Sequence, residues 1–322
     1  MTYLIIFFIL MVLSFAYYKI ADYFNIVDKP NHRSSHTINT IRGGGILFYF
    51  AILIYFIWSD FNFPLLFVGI TMIAVVSFID DLHPLPPKLR LPVQFISIVL
   101  VLLQLNLDFP YYILLLLLIC GVGFINVYNF MDGINGLTGL YSLVVVLFMI
   151  VFNEYSYSFI DLDLLVFIAL SLIIFGFYNF RKKALFFSGD VGSISMGVIF
   201  FFLLLKLYAV IQAPSVILIF SVYGVDGVIT ILKRLRLKER ISEAHRRHVY
   251  QILVDKAGTS HLTVSALYAG LQAVLCSIFY FIYEMSILAQ IIISLVTLLL
   301  TTLLYLFANY KYQPDTLIFE ND

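Results

Sequence analysis

Long apolar runs recur along the whole chain and constrain its fold more than any other feature. Eleven of them, each about 15 to 20 residues long, lie near 3–19, 44–58, 64–79, 91–105, 111–128, 137–152, 164–180, 192–211, 214–232, 262–283 and 287–308. A helix of about 20 residues crosses the roughly 30 Å hydrocarbon core of a bilayer, and within lipid the backbone polar groups must pair with one another. Charged residues make up only 12% of the chain, against about 25% in soluble domains. The sequence therefore predicts an all-α, polytopic membrane protein with about eleven transmembrane helices in one domain, residues 1–322.

Charged residues differ in sign on the two sides of this predicted bundle. Lys19 follows the first apolar run and no cationic segment precedes that run, so we expect the first helix to be retained and to run from outside to inside. If the helices alternate, the Lys and Arg residues between them fall on the inner side, and the outer connections carry only acids: Asp60, Asp108, Glu154, Asp161, Asp163 and Glu284. This asymmetry follows the positive-inside rule and predicts the N-terminus outside and the C-terminus inside. The basic inner face suits anionic lipids and phosphorylated ligands rather than nucleic acid.

The two cysteines, Cys120 and Cys276, both fall in apolar runs. We expect them to be small, buried packing residues rather than part of a disulfide framework or a thiolate metal site.

Residues that can carry chemistry concentrate in the longer inner connections. Asp80 and Asp81 are adjacent where the third helix leaves the membrane. Neighbours on a helix point about 100° apart, so the two acids should serve different partners. One could hold a metal ion while the other accepts a proton or orients a phosphate. The alternative is a solvated helix end whose acids pair with Lys88 and Arg90.

Two further motifs lie on the same side. Asn126, Asn129 and Asp132 follow one another at intervals of three on one face of the fifth helix, and the turn residues Gly133, Asn135 and Gly136 come next. Asp190, in Phe187-Ser-Gly-Asp-Val-Gly-Ser, begins an apolar run. It is either a helix N-cap or a ligand for a divalent cation, beside backbone N–H groups that face an anion.

The last long inner segment is rich in basic residues and contains His245, Arg247 and His248. It is either a juxtamembrane basic patch or a set of donors for a diphosphate. A zinc site is disfavoured because the segment supplies no third ligand. Asp226 lies inside the ninth predicted helix, where an acid must find a partner. Pairing with a lysine or arginine and a direct role are both open.

Taken in order, these motifs resemble the polyprenyl-phosphate N-acetylhexosamine-1-phosphate transferase family, that is, glycosyltransferase family 4. The matching positions are Asp28-Lys29-Pro30-Asn31 with Arg33 and His36, Arg42-Gly43-Gly44-Gly45, Asp80-Asp81, Asn129-x-x-Asp132-Gly133, Gly189-Asp190-x-Gly192-Ser193 and the His/Arg segment. The resemblance implies a Mg²⁺-dependent reaction, with Mn²⁺ as the alternative ion, in which undecaprenyl phosphate and a UDP-N-acetylhexosamine give undecaprenyl diphosphate sugar and UMP.

The resemblance also implies residue roles. Asp80 and Asp81 match the catalytic acid pair, and Asp190 matches the magnesium ligand. Contacts to the nucleotide are expected from Asn129, Asp132, Asn135 and Phe187, whose ring would stack on uracil. Contacts to phosphate or sugar are expected from Lys29, Arg42, Lys88, His245, Arg247 and His248.

Two departures narrow the branch. Asn135 stands where a second aspartate is common, and the His/Arg segment lacks the consecutive histidines of the muramoyl-pentapeptide branch. The sequence is closer to transferases that begin O-antigen or capsule chains, in a bacterial plasma membrane with the site facing the cytoplasm. Whether the chain forms a homodimer is open. The main rival function is a lipid-linked sugar flippase or transporter, which should place its polar residues near the bilayer midplane. A CDP-alcohol phosphotransferase lacks support because Asp132-Gly133 continues into Ile-Asn-Gly.

Overall fold

Helices account for nearly all regular structure in residues 1–28, 39–240 and 245–313, the part of the chain that the computed structural model describes. In this part they are α1 (Thr2–Tyr23), α2 (Ile46–Trp58), α3 (Pro64–Leu82), α4 (Pro87–Leu105), α5 (Tyr111–Phe130), α6 (Leu137–Tyr155), α7 (Leu162–Asn179), α8 (Gly189–Ile211), α9 (Ser221–Arg236), α10 (Val249–Asp255), α11 (His261–Ile282) and α12 (Ile287–Tyr312). A 3₁₀ segment, Pro214–Phe220, leads directly into α9, and β1 (Val27–Asp28) pairs antiparallel with β2 (Thr40–Ile41). The predicted all-α class is confirmed.

Each of the eleven apolar runs corresponds to a helical segment. Within the described residues, ten segments are long and apolar enough to cross a bilayer, with the 3₁₀ segment and α9 together forming one of them. The eleventh, α2, has 13 residues and therefore reaches only about 20 Å at the helical rise of 1.5 Å per residue. The sequence did not predict the short α10. The orientation of the termini across the membrane stays a prediction.

Helix α8 forms the centre of the bundle and contacts α2, α3, α4 and α5. Its sequence is apolar on every side, which is the pattern of a fully interior helix, and Phe200, Leu203 and Leu207 are all completely buried. By contrast, α1 and α12 expose rows of large apolar side chains, such as Phe8 at 54% and Leu295 at 61%. In a bilayer these rows face lipid.

Polar contacts mark the two ends of the bundle. At one end, the Asp163 carboxylate accepts hydrogen bonds from the Tyr3 hydroxyl at 2.8 Å and from the Trp58 indole at 2.9 Å. At the other end of α1, the Tyr17 hydroxyl donates to the carbonyl of Arg42. The acids of the predicted outer connections and the motifs of the predicted inner connections thus lie at opposite ends of the bundle.

The expectation for the cysteines is half wrong. Cys276 is buried, but Cys120 is exposed on α5. Apolar context alone does not separate a core-facing position from a lipid-facing one, because lipid is as apolar as the core.

Candidate active site

A short ladder of backbone hydrogen bonds brings the segment after β2 alongside the start of α8. The Phe187 amide donates to the Ile41 carbonyl at 2.8 Å, and the Gly44 amide donates to the Phe187 carbonyl at 2.8 Å. The two chains approach so closely that a Cβ on Gly45 would lie 2.4 Å from the Cα of Gly192. The glycine run after Arg42 is thus required by this packing, which delivers Arg42 to the N-terminus of α8.

Asp80 and Asp81, at the end of α3, face different partners, as the helix geometry predicted. The Asp80 carboxylate accepts from the Leu85 amide and, at 2.7 Å, from the Arg90 guanidinium. Asp81 pairs with Arg42 at 2.7 Å between Nε and Oδ1.

Asp81 also caps α8 from a distant part of the chain. Its two carboxylate oxygens accept from the backbone amides of Asp190 at 2.9 Å and Val191 at 3.0 Å. Gly189 permits this contact, because it has φ +73° and a Cβ there would lie 2.4 Å from Asp81 Oδ2. These amides are therefore bonded to Asp81, and the expectation that they face an external anion is wrong.

Asp190 is not the N-cap of α8, since that position is Ser188 and its side chain makes no capping bond. The Asp190 carboxyl instead lies within hydrogen-bonding reach of Asp80. It also faces Arg42 and Arg90, each with a nitrogen 3.4 Å from one of its oxygens. The N-cap interpretation of Asp190 is thus replaced by a cluster of three carboxyls and two guanidiniums, which we call the Asp–Arg cluster: Arg42, Asp80, Asp81, Arg90 and Asp190.

Within the Asp–Arg cluster, the two arginine side chains are more exposed to solvent than the carboxyls. The side chains of Arg42 and Arg90 are 31% and 33% exposed, that of Asp190 is 15% exposed, and that of Asp81 is fully buried. Burial works to lower the pKa of Arg42, but Asp81 and Asp190 raise it on balance. Arg42 therefore stays charged, and both guanidiniums have open sides available to an incoming anion.

The donor set of the cluster fits a magnesium ion that is shared with a substrate. Within residues 1–28, 39–240 and 245–313, no three His, Cys, Asp or Glu side chains converge to hold a metal by themselves. However, Asp80 and Asp190 are close together, and two neighbouring carboxylates need a proton or a cation between them. Magnesium typically takes one or two protein carboxylates and fills its remaining positions with phosphate oxygens and water.

The polar side chains on one face of α5 are hydrogen-bonded to neighbouring helices. The Asn126 amide donates to Gln94 Oε1 of α4 at 2.7 Å, and Asn129 Oδ1 accepts from the Ser193 hydroxyl of α8 at 2.7 Å. Asp132 follows the end of α5, and burial raises its pKa to about 6. Asn126 and Asn129 therefore contribute to helix packing, and Asp132 is the acid at the edge of the site.

Asn135 and Phe187, the other two predicted nucleotide contacts, differ in whether their side chains are bonded within the protein or accessible. The Asn135 amide donates to the carbonyls of Arg181 at 3.0 Å and Lys182 at 3.4 Å, so the structure commits it to the loop after α7. Phe186 is buried and stacks on Tyr178 with ring centroids 4.3 Å apart. Phe187 is half-buried, so its ring is the accessible one of the pair.

The His/Arg segment is internally paired. Arg247 forms an ion pair with Glu239, and Arg246 forms a bidentate pair with Asp255 at 2.7 Å for both bonds. Burial, followed by the neighbouring His248 and Arg234, lowers the pKa of His245 to about 4. His245 is therefore neutral at pH 7 and does not act as a cation.

A cavity of about 640 Å³ lies between α4, α5 and the His/Arg segment. Arg90, Gln94, Asn126, His245 and His248 are polar residues of its lining. Much of the remaining wall is apolar. Because Arg90 also belongs to the Asp–Arg cluster, cavity and cluster form one continuous region at this end of the bundle.

Lys88, which the sequence predicts to contact phosphate or sugar, is exposed. Arg90, two residues later, lies in the Asp–Arg cluster. The sequence feature that could have identified Arg90 is the Pro86-Pro87 turn, which folds α4 back along α3.

Asp226 pairs with His248 rather than with a lysine or arginine. Lys29, Pro30, Asn31, Arg33 and His36 lie outside the described residues.

Most of the Asp–Arg cluster lies in a part of the chain that resembles a known enzyme family. The model of glycosyl transferase family 4 matches residues 63–208, a stretch that contains Asp80, Asp81, Arg90 and Asp190. The resemblance to glycosyl transferase family 4 is confirmed. A relative from Bacillus subtilis (strain 168), a probable undecaprenyl-phosphate N-acetylglucosaminyl 1-phosphate transferase, is 27% identical to this chain, and the match covers 78% of this chain and 75% of the relative.

Four of the five residues of the Asp–Arg cluster fall inside the stretch matched by glycosyl transferase family 4. The fifth, Arg42, precedes it. The similarity therefore concerns the elements that build the cluster, α3, α4 and the start of α8, rather than only the apolar helices around them.

Proposed function

We propose that this protein transfers an N-acetylhexosamine 1-phosphate from a UDP-sugar to undecaprenyl phosphate, giving undecaprenyl diphosphate sugar and UMP. The observation that carries the proposal is the convergence of Asp80, Asp190, Arg42 and Arg90 at one end of a membrane-embedded bundle. The name of the Bacillus subtilis relative supports the substrate classes. A flippase gains no support, since these groups lie at helix ends rather than at the bilayer midplane.

The reaction joins two anions, so its main difficulty is electrostatic. An oxygen of the lipid phosphate attacks the sugar-bearing phosphorus, and the bond from that phosphorus to the oxygen bridging to UMP breaks. Phosphoryl transfer of this kind depends on in-line positioning and on stabilising charge. The partly exposed guanidiniums of Arg42 and Arg90 bind phosphate oxygens as a fork and offset their charge.

The carboxyls have separate roles in this proposal. Asp81 is a positioning residue, because it is buried and holds both the N-terminus of α8 and Arg42. A phosphate monoester has a second pKa near 6, so the lipid phosphate is already ionised near neutral pH and needs no strong base. We therefore assign Asp80 to binding rather than to proton abstraction.

Asp80 and Asp190 are the residues that would hold Mg²⁺, with Mn²⁺ as the alternative. The ion supplies a positive charge that offsets the negative charge of the diphosphate. Asp190 faces Arg42 and Arg90 together, so it fixes both guanidiniums relative to the phosphates.

At the nucleoside end we propose contacts from Phe187, through its accessible ring, and from Asp132. Asn135 is left out because its amide is bonded to the 181–182 loop. We place the site on the cytoplasmic face of a bacterial plasma membrane, where the basic residues between the helices collect, and infer a role in starting a cell-surface polysaccharide.

The test is lipid-dependent release of UMP. Purified protein is given undecaprenyl phosphate, Mg²⁺ and, in separate reactions, several UDP-N-acetylhexosamines. We expect release by wild type with at least one sugar and by Asp163→Asn, a matched control at the opposite end of the bundle. Asp190→Asn should release at least about 100-fold less, because it removes a charged group from the reacting centre. The proposal fails if wild type releases no UMP with any sugar, or if Asp190→Asn is as active as the control.

A further inference from the structure

A buried carboxylate–imidazole pair lies outside the Asp–Arg cluster. Asp226 of α9 is fully buried and His248, just before α10, is 2% exposed. The Asp226 Oδ1 atom lies 3.0 Å from His248 Nδ1, and Oδ2 accepts from the Tyr268 hydroxyl at 2.7 Å. The backbone amide of Val249 donates to Oδ1 at 3.2 Å. These donors, from the start of α10 and from α11, hold the carboxylate in one position.

This contact fixes the hydrogen on the imidazole ring. The Asp226 carboxyl accepts from Val249 and Tyr268, and with Asp226 as acceptor Nδ1 of His248 carries the hydrogen that it shares with Asp226. The second ring nitrogen, Nε2, is buried and has no hydrogen-bond partner among the described residues. A buried polar atom without a partner is rare and indicates a position that a ligand or water completes.

His248 forms part of the wall of the cavity that also contains Arg90. The neighbouring His245 has its ring centroid 5.0 Å from that of His248, and its Nδ1 is likewise buried without a partner in the described part of the chain. Two neighbouring imidazole rings, each with an unsatisfied nitrogen, therefore line the same cavity as Arg90 of the Asp–Arg cluster.

We propose that Asp226 is a positioning residue for the transfer: it holds His248 so that Nε2, the acceptor nitrogen of the ring, accepts a hydrogen bond from a hydroxyl or amide N–H group of a substrate bound in this cavity. The inference rests on the proposed function. Asp226 itself touches no substrate, since it is sealed behind His248 and Tyr268. The UDP-sugar carries such donors in its hydroxyl and amide groups, whereas the ionised lipid phosphate carries none, and kinetics with each substrate varied separately distinguishes the two.

Two substitutions of His248 separate its two nitrogens. In His248→Asn, the amide nitrogen takes the place of Nδ1 and keeps the bond to Asp226, but nothing replaces Nε2. In His248→Gln, the longer side chain places its amide near the Nε2 position and gives up the bond to Asp226. We expect His248→Asn to lose about 10- to 100-fold in kcat/KM, the usual effect of losing such contacts, and His248→Gln to retain more activity.

The double-mutant cycle tests Asp226 directly. Asp226→Asn should lower kcat/KM by a similar factor, and the Asp226→Asn/His248→Asn double variant should be no worse than the poorer single variant, within about twofold. The KM that rises identifies the substrate whose donor group is bound, and we expect it to be the KM of the UDP-sugar. Asn309→Ala is the matched control, because it removes another buried polar contact of α9, the 3.0 Å bond from Lys233 Nζ, and should lower thermal stability with kcat/KM unchanged.

Additive losses in the double variant would overturn the proposal, as would an equal loss in kcat/KM for Asn309→Ala. If Asp226→Asn does not fold, the His248 pair decides, and His248→Asn at least as active as His248→Gln would overturn it. An inactive wild type would refute the proposed function itself, whereas an active wild type with any of these outcomes would refute only the role of Asp226.

Discussion

Replacing Arg90 with glutamine is expected to remove most of the transferase activity while leaving the fold nearly intact. Arg90 Nη1 lies 2.7 Å from Asp80 Oδ2 and 3.4 Å from Asp190 Oδ2. The side chain is 33% exposed, and ion pairs with solvent access contribute only about 0.2 to 1 kcal/mol to stability. The unfolding temperature should therefore fall by a few degrees at most.

The expected loss of activity is larger because the guanidinium faces a substrate phosphate. A hydrogen bond to a charged group contributes about 1.5 to 3 kcal/mol, and about 1.4 kcal/mol corresponds to a factor of ten in rate. Arg90→Gln should thus lower kcat/KM for lipid-dependent UMP release by about 10- to 100-fold. Lys88→Gln is the matched control, since Lys88 lies two residues earlier on the same helix and is exposed.

The assay compares both variants with wild type at saturating Mg²⁺, and thermal unfolding is followed on the same samples. Arg90→Gln with more than about a third of the wild-type kcat/KM, which corresponds to a change of less than 1 kcal/mol, would refute the role given to Arg90. An equal loss in Lys88→Gln would show that the effect comes from net charge and not from the geometry of the cluster.

Three further predictions concern stability. Asp81→Asn should destabilise the fold by about 1 to 3 kcal/mol, because Asp81 caps α8 and pairs with Arg42; an unchanged unfolding temperature would contradict the capping role. Burial raises the pKa of Asp132 to about 6, so the folded state holds this proton more tightly than the unfolded chain, and stability is lost as pH rises from about 4 to above 6. Asp132→Asn should therefore raise the unfolding temperature relative to wild type at about pH 8 but not at about pH 4, and an equal shift at both would contradict burial of the carboxyl. Gly45→Ala should cost about 1 to 3 kcal/mol through overpacking against Gly192, whereas Gly270→Ala in α11, where a Cβ meets nothing within 4 Å, should be neutral or stabilising; similar unfolding temperatures for the two variants would contradict the close approach.

The membrane architecture was predictable because its cause is local. A bilayer requires each spanning segment to satisfy its own backbone and to be apolar over its length, and both properties can be read from consecutive residues. The short α2 and the lipid-facing Cys120 show the limit of this argument. The thickness crossed and the face exposed depend on neighbouring helices, which one apolar run does not specify.

Part of the candidate site was predictable from helix geometry alone. The separation of Asp80 and Asp81 toward different partners follows from their adjacent positions on α3, and the structure confirms it. The roles of these acids stay predictions. The pairing of Asp80 with Arg90 was one of the alternatives that the sequence offered. The partners of Asp81 were beyond the sequence, since Asp81 reaches amides more than 100 positions away.

Several candidate ligand contacts are hydrogen-bonded within the protein, which the sequence did not show, for one physical reason. Polar groups at a helix end look alike in sequence whether they face a ligand or a neighbouring helix. Asn126 and Asn129 turn out to bond to Gln94 and Ser193, and Arg247 bonds to Glu239. Only the packing of α4, α8 and the His/Arg segment decides which groups reach the Asp–Arg cluster. Arg90 lies in the cluster, whereas Lys88 is exposed outside it.

The most direct test of the central claim is the fate of the two phosphorus atoms of the donor. UDP-N-acetylhexosamine labelled with ³²P at the β-phosphate is incubated with the protein, Mg²⁺ and undecaprenyl phosphate, and the lipid is extracted. We expect the β-label in the lipid fraction, while donor labelled at the α-phosphate leaves its label in water-soluble UMP. If the β-label stays with the nucleotide while the sugar reaches the lipid, or if no label moves, the protein does not transfer a phosphosugar.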